Sequence, residues 1–319
     1  MQKYLARRLL LAIPTIFGVS VLIFVVMRIL PGDPLAAMID EESGPSSYSE
    51  QQREVIMESL GLNRPLHIQY LDWMWDVARG NLGRSFWKDS TIMDMVKRRG
   101  PVTAEIGILA VIISWVVGLP IGILGALKRN SISDYFSRFF VTFFLAAPSF
   151  WVGLSFILIC VVFFKWRPPI LLDGIWSDPL LNLKLTLPPA LIIGTGMAAI
   201  IARMSRATLL EVYTEDYVRT ARSKGLHQNP IIWRHVLKNA MLPVLTISGL
   251  QFANLLGGSV AVETALSVPG LGASLAQAMQ ERDWMVIQNL VLIFSVIFVI
   301  VNLAVDLAYG FIDPRIRYG

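Results

Sequence analysis

Six apolar runs, at 9–27, 102–127, 136–164, 187–202, 244–262 and 290–311, divide this chain, and most match the roughly 20 residues that carry an α-helix across a bilayer. In hydrocarbon every backbone polar group must be satisfied within the segment, so runs of this length demand helices. The composition agrees: 55% of the 319 residues are hydrophobic and 16% charged, with a mean hydropathy of +0.58. Soluble domains carry about 25% charged residues. The formal net charge of +5 does not point to nucleic acid, because the basic residues fall in short clusters beside the apolar runs and form no continuous stripe.

Those clusters set the orientation. With a cytoplasmic N-terminus, the inside segments collect Lys3, Arg7, Arg8, Lys128, Arg129, Arg138, Arg203, Arg206, Arg219, Arg222, Lys224, Arg234, Lys238, Arg315 and Arg317. The short outside loops hold only Lys165, Arg167, Lys184 and Arg282. The excess places both termini on the cytoplasmic side. The first run is expected to be a retained anchor rather than a cleaved signal, since it exceeds the usual apolar core and has no convincing small-residue cleavage site after it.

The expected organisation is a cytoplasmic N-terminus and first span over 1–30, an extracytoplasmic domain over 31–101, spans two to six over 102–312, and a tail over 313–319. In the extracytoplasmic part, 50–60 reads as a helix ended by Gly61. A second helix follows Pro65, with Leu66, Tyr70, Trp73 and Val77 on one face and Trp75 off it. Core packing and anchoring at the membrane surface are both open for the two tryptophans. Pro120 and Pro148 sit inside spans two and three, where neighbouring helices can satisfy freed carbonyls.

Between spans four and five lies a charged segment, 205–243, longer than two antiparallel helices need as a connection. Leu210, Tyr213, Tyr217 and Ala221 recur at helical spacing, and Glu215 and Arg219 stand four apart. Gly225 ends that helix. Asn229 before Pro230 reads as an N-cap for a second one, running to Pro243. Two short helices around a glycine turn make a protrusion suited to a partner.

Chemistry is hard to place. No phosphate-binding loop, H-E-x-x-H pair or G-x-S-x-G elbow occurs, and His67, His227 and His235 are scattered. Cys160, the single cysteine, reads as a small buried hydrophobe. No catalytic residue, metal site or bound cofactor is expected. Glu105 and Asp306 read as interhelical hydrogen-bonding groups, with a pathway role as the alternative. The fifth span carries Thr246, Ser248, Gln251, Asn254 and Ser259, too polar for lipid. Gln251 and Asn254 are its candidates for lining a pathway, interhelical bonding being the other reading.

Several separated motifs then converge. E-D-Y-V-R-T-A-R-S-K-G-L with R-H-V-L-K-N-A-M-L-P resembles the cytoplasmic signature of bacterial ATP-binding-cassette importer permeases of the peptide/nickel family. R-R-L-L-L-A-I-P-T, L-P-G-D-P, L-G-L-N-R-P, G-N-L-G-R-S, E-T-A-L-S-V-P-G-L-G and D-P-R-I-R-Y extend the resemblance over nearly the whole chain. It implies an all-α membrane protein with six transmembrane helices in the type I ABC importer permease fold, and a small extracytoplasmic domain after the first helix.

The resemblance further implies a coupling segment at Glu215, Asp216, Tyr217, Arg219, Thr220, Ala221, Arg222, Ser223, Lys224 and Gly225. Tyr217 and Ala221 would be its anchors, and Arg219, Arg222 and Lys224 its charged rim. The implied partners are a second homologous permease, two ATP-binding-cassette ATPase domains that hold the ATP and Mg, an extracytoplasmic solute-binding protein and membrane lipid. Short peptides are the expected cargo, with nickel chelates or glutathione as alternatives. An ion-coupled secondary transporter is the rival class, although no coupled charged sites or inverted repeats are evident.

Overall fold

The computed structural model describes residues 2–29, 63–88, 90–165, 169 and 177–312, with the side chains of 2–9, 253, 254, 256 and 306–312 outside that set. The helix expected over 50–60, residues 166–168 and 170–176 of the 165–184 loop and the tail from 313 lie outside the described residues. Among the described residues no strand forms beyond one isolated bridge between Arg84 and Thr91.

The helices are α1 (Gln2–Ile29), α2 (Leu66–Ala78), α3 (Ile92–Leu127), α4 (Ile132–Ala146), α5 (Ser149–Phe164), α6 (Pro179–Val212), α7 (Asp216–Ser223), α8 (Leu237–Ala265), α9 (Leu271–Glu281) and α10 (Trp284–Ile312). Gln228–Pro230 and a π-helical stretch, Ile231–Val236, lead into α8. Among the described residues four helices, α1, α3, α6 and α10, are individually long and apolar enough to cross a membrane. Two bent pairs make six spans if each counts as one: α4 with α5, at 104°, and Gln228–Phe252 with Gly257–Ala265, at 58°.

The first bend corrects the reading of Pro148 as a tolerated residue in a continuous third span. Pro148 has no N–H to donate and pushes Ala147 out of the helical region, to φ −81 and ψ 124. The helix therefore ends, and α5 starts anew after the proline. Pro101 behaves in the opposite way. It lies inside α3, which begins at Ile92 and not after the proline, started by Thr91, whose hydroxyl accepts from the Asp94 N–H at 3.1 Å.

α6 is the central helix, with 67% of its apolar window buried. Lipid tails are as apolar as leucine, so helices in a bilayer associate through close approach, which small residues permit. α3 and α6 meet this way. A Cβ on Gly118 would stand 2.6 Å from the Ala198 carbonyl oxygen, and one on Gly122 would stand 2.5 Å from that of Ala202.

At one end of the bundle α2 packs on α1 and α10. Phe24, Trp73, Val286 and Leu290 are buried together, with Tyr70 against them. Trp73 is thus a core residue, its indole N–H donating 3.2 Å to Asn289 Oδ1, whereas Trp75 is exposed. At the same end the buried Asp283 accepts from Ser85 Oγ at 2.5 Å, the Phe86 N–H at 3.0 Å and the Val286 N–H at 3.2 Å. It pins the 81–90 loop to the start of α10. The opposite, basic end carries the turn after α3, the start of α4, the end of α6, and α7.

Candidate functional site

The charged segment forms a short helix held against the basic end of the bundle. α6 runs to Val212, and Tyr213 closes it with its N–H bonded to the Leu209 carbonyl at 3.0 Å. Glu215 then caps a new helix, α7, whose first turn carries Asp216 and whose last carries Arg222. Acid at the N-terminus and base at the C-terminus both complement the helix dipole. Gly225 takes φ +75 and reverses the chain.

Because the chain breaks at 213–215, the stripe through Leu210, Tyr213, Tyr217 and Ala221 is not one helix face. Val218 is fully buried and Ala221 nearly so. They join Ala126 of α3, Leu209 of α6, Ile231, Val236 and Ala240 in one apolar cluster. The inward anchors are therefore Val218 and Ala221, while Tyr217 points outward at 41% exposure. Glu215, Asp216, Arg219, Thr220, Arg222, Ser223, Lys224 and Gly225 are exposed as well.

Polar contacts stiffen this surface. Asn239 Nδ2 donates to Tyr217 Oη at 2.8 Å, Tyr213 Oη donates to Gln228 Oε1 at 2.8 Å, and the Arg222 guanidinium lies 4.1 Å from the centre of the Tyr213 ring. Arg219 pairs with Asp216 at 3.4 Å and not with Glu215, and both partners are solvated, so the pair adds little stability. The second helix starts at Gln228, capped by His227 and not by Asn229. It does not stop at Pro243, which lies inside α8. A proline there costs one backbone hydrogen bond, and the long helix continues on both sides of it. The segment is thus a lever, one short helix followed by an extension of the fifth span.

The two pathway candidates lie elsewhere, on α8. Gln251 is half-buried there, and the side chain of Asn254 is outside the described residues. Among the described residues no group of three or more His, Cys, Asp or Glu could hold a metal ion. Glu105 is half-buried, and the side chain of Asp306 is outside the described residues.

Besides Asp283, two buried carboxylates escape sequence reasoning. Asp134 is clamped by Arg138 and Arg206, and only the four-residue spacing to Arg138 is visible in the sequence. Glu263, fully buried, accepts from Thr103 Oγ1 at 2.9 Å and from the Ala273 N–H at 3.0 Å. The glycines at 270 and 272 are its signal, since a Cβ on Gly270 would collide with the carboxylate.

The signature described as binding-protein-dependent transport system inner membrane component matches residues 118–318, which hold α7 and both bent spans. The chain belongs to this family. The N-terminal signature of the same transport systems matches residues 1–107 of this inner membrane component.

Curated relatives match this permease end to end. It is 37% identical to the dipeptide transport system permease protein DppB of Alkalihalophilus pseudofirmus, over all of both chains. It is 35% identical to the oligopeptide permease AppB of Bacillus subtilis and 37% identical to the glutathione permease GsiC of Escherichia coli, again over all of each chain. A chain of the MetNI methionine ABC transporter in an inward-facing form aligns at a TM-score of 0.55 and 19% identity, covering 70% of this permease and 98% of that chain. The fold is that of type I importer permeases. Family membership sets aside the ion-coupled secondary transporter.

Proposed function

We propose that this chain forms half of the translocation pathway of an ATP-driven importer for short peptides, and that α7 couples it to separate ATPase subunits. The observation that carries the reading is end-to-end similarity, at 35–38% identity, to permeases named for dipeptides, di- and tripeptides and oligopeptides. The basic residues clustered at the α7 end favour a cytoplasmic position for that end and for both termini. A second homologous permease would complete the pathway, a solute-binding protein would deliver cargo from outside, and two ATPase domains would bind ATP and Mg.

The mechanical logic follows from the cluster beneath α7. A force applied to the exposed face, at Tyr217, Arg219 and Arg222, passes through Val218 and Ala221 into the ends of α3 and α6 and the start of the rod leading to α8. The straight part of the fifth span, Gln228–Phe252, carries Gln251, and Asn254 follows at the bend, so displacement of α7 tilts the segment proposed to line the route. This chain transmits force and performs no bond chemistry.

Glutathione, itself a short peptide, is the second reading, favoured by the 37% identity to GsiC. Affinity purification of the tagged chain from its native membrane tests the assembly. A second permease of the same family and Walker-motif ATPases are expected with it, and recovery of the chain alone would contradict the reading. Thermal-shift screening of the solute-binding protein that supports uptake by the complex, against dipeptides, tripeptides and glutathione, decides the cargo.

A further inference from the structure

The turn after α3, the first turn of α4 and the last third of α6 meet at one carboxylate. Asp134 is fully buried. Its Oδ1 accepts from Arg206 Nε at 2.7 Å and its Oδ2 from Arg206 Nη2 at 3.1 Å, a two-pronged pair across two helices. Arg138, one turn further along α4, donates from Nη2 at 2.7 Å and Nε at 3.3 Å, and the Asn130 N–H donates at 3.0 Å. A carboxylate withdrawn from water persists only with such partners.

This hub sits directly beside the cluster that holds α7. Arg206 precedes Leu209 of that cluster by three residues, one turn of α6. A Cβ on Gly125 would stand 2.8 Å from Ser137 Oγ and 3.3 Å from Arg206 Cδ, and the next residue, Ala126, belongs to the α7 cluster. Hub and cluster are neighbouring layers of one junction.

Their chemistry differs in a way that matters for movement. Apolar contacts are non-directional, so by themselves they set no preferred line of force between two helices. A guanidinium fork on a carboxylate has a defined direction and register. We propose that Asp134 is a positioning residue, which fastens α4 to α6 so that displacement of α7 reaches the bent α4–α5 span instead of being lost in sliding. The inference rests on the coupling role proposed above for α7.

The test uses the whole complex in proteoliposomes, with ATP hydrolysis and ATP-driven uptake of radiolabelled alanyl-alanine and glutathione measured side by side. Arg206→Lys keeps a positive charge on Asp134 and gives up the fork. The expected result is an assembled complex that hydrolyses ATP at the wild-type rate, with peptide moved per ATP reduced about fivefold or more. Lys128→Gln, which removes a nearby exposed charge, leaves the ratio unchanged.

An unchanged ratio in Arg206→Lys overturns the inference. So does an equal fall in hydrolysis and uptake, or loss of the assembled complex, because either marks a purely structural pair. A wild-type complex that takes up neither peptide with ATP overturns the importer reading itself, and the inference with it, before any variant is compared.

Discussion

Thr103 and Glu263 stand 160 positions apart in sequence and share a buried hydrogen bond of 2.9 Å, the threonine hydroxyl donating to the carboxylate. The same hydroxyl accepts from the Leu271 N–H at 2.9 Å, so it joins α3, the end of α8 and the start of α9. The carboxylate also takes the Ala273 N–H in the first turn of α9, where the helix dipole favours a negative charge. Thr103→Val removes the hydroxyl at nearly constant volume and leaves a buried N–H without its partner. The expected cost is about 1–3 kcal/mol, read as a lowered unfolding midpoint in detergent, with Thr103→Ser close to wild type.

Gly122 marks the closest approach of α3 to α6, its Cβ position 2.5 Å from the Ala202 carbonyl oxygen and 2.8 Å from Ser205 Cβ. Backbone on the far side cannot yield as a flexible side chain would. Gly122→Leu is expected to force the two central helices apart, at about 1–3 kcal/mol or more, and to lower the yield of folded protein. Gly196→Ala is the control, since nothing lies within 4 Å of its Cβ position, and it should match wild type on size-exclusion chromatography.

Much of this architecture is legible in the sequence because bilayer-crossing length is a one-dimensional property. The apolar runs mark the spans, and the glycine at 225 marks the end of α7. What is hidden is three-dimensional. The start of α3 at Ile92 is masked by Lys97, Arg98 and Arg99, which assign that stretch to the extracytoplasmic domain ahead of the second span, although Ile92 and Met95 are buried. Pro148 reads as tolerated within one span, but the proline forces Ala147 out of the helical region and the span breaks there.

The face of α7 buried against the bundle departs from the stripe read by spacing, for a related reason. Helical spacing carried through from Leu210 picks Tyr217, but the turn at 213–215 resets the phase and brings Val218 inward. Asp134 and Arg206 meet across 72 positions, and no spacing rule connects them.

The polar face of the fifth span predicts water access at Gln251. In a background with Cys160 replaced by alanine, Gln251→Cys is expected to react with a small water-soluble thiol reagent in at least one nucleotide state of the complex. Protection in every state would make Gln251 a packing residue between helices.

The central claim is that α7 carries force from an ATPase into the bundle through its exposed face, and ATP-driven uptake by the Tyr217→Asp variant tests it most directly. Tyr217 is exposed, and its hydroxyl receives only the Asn239 side-chain amide among the described contacts, so the substitution leaves the apolar cluster beneath α7 intact. The account predicts a stably folded complex whose uptake of radiolabelled peptide falls by about tenfold or more, the size of one lost interface anchor. Uptake at the wild-type rate by that variant would contradict it.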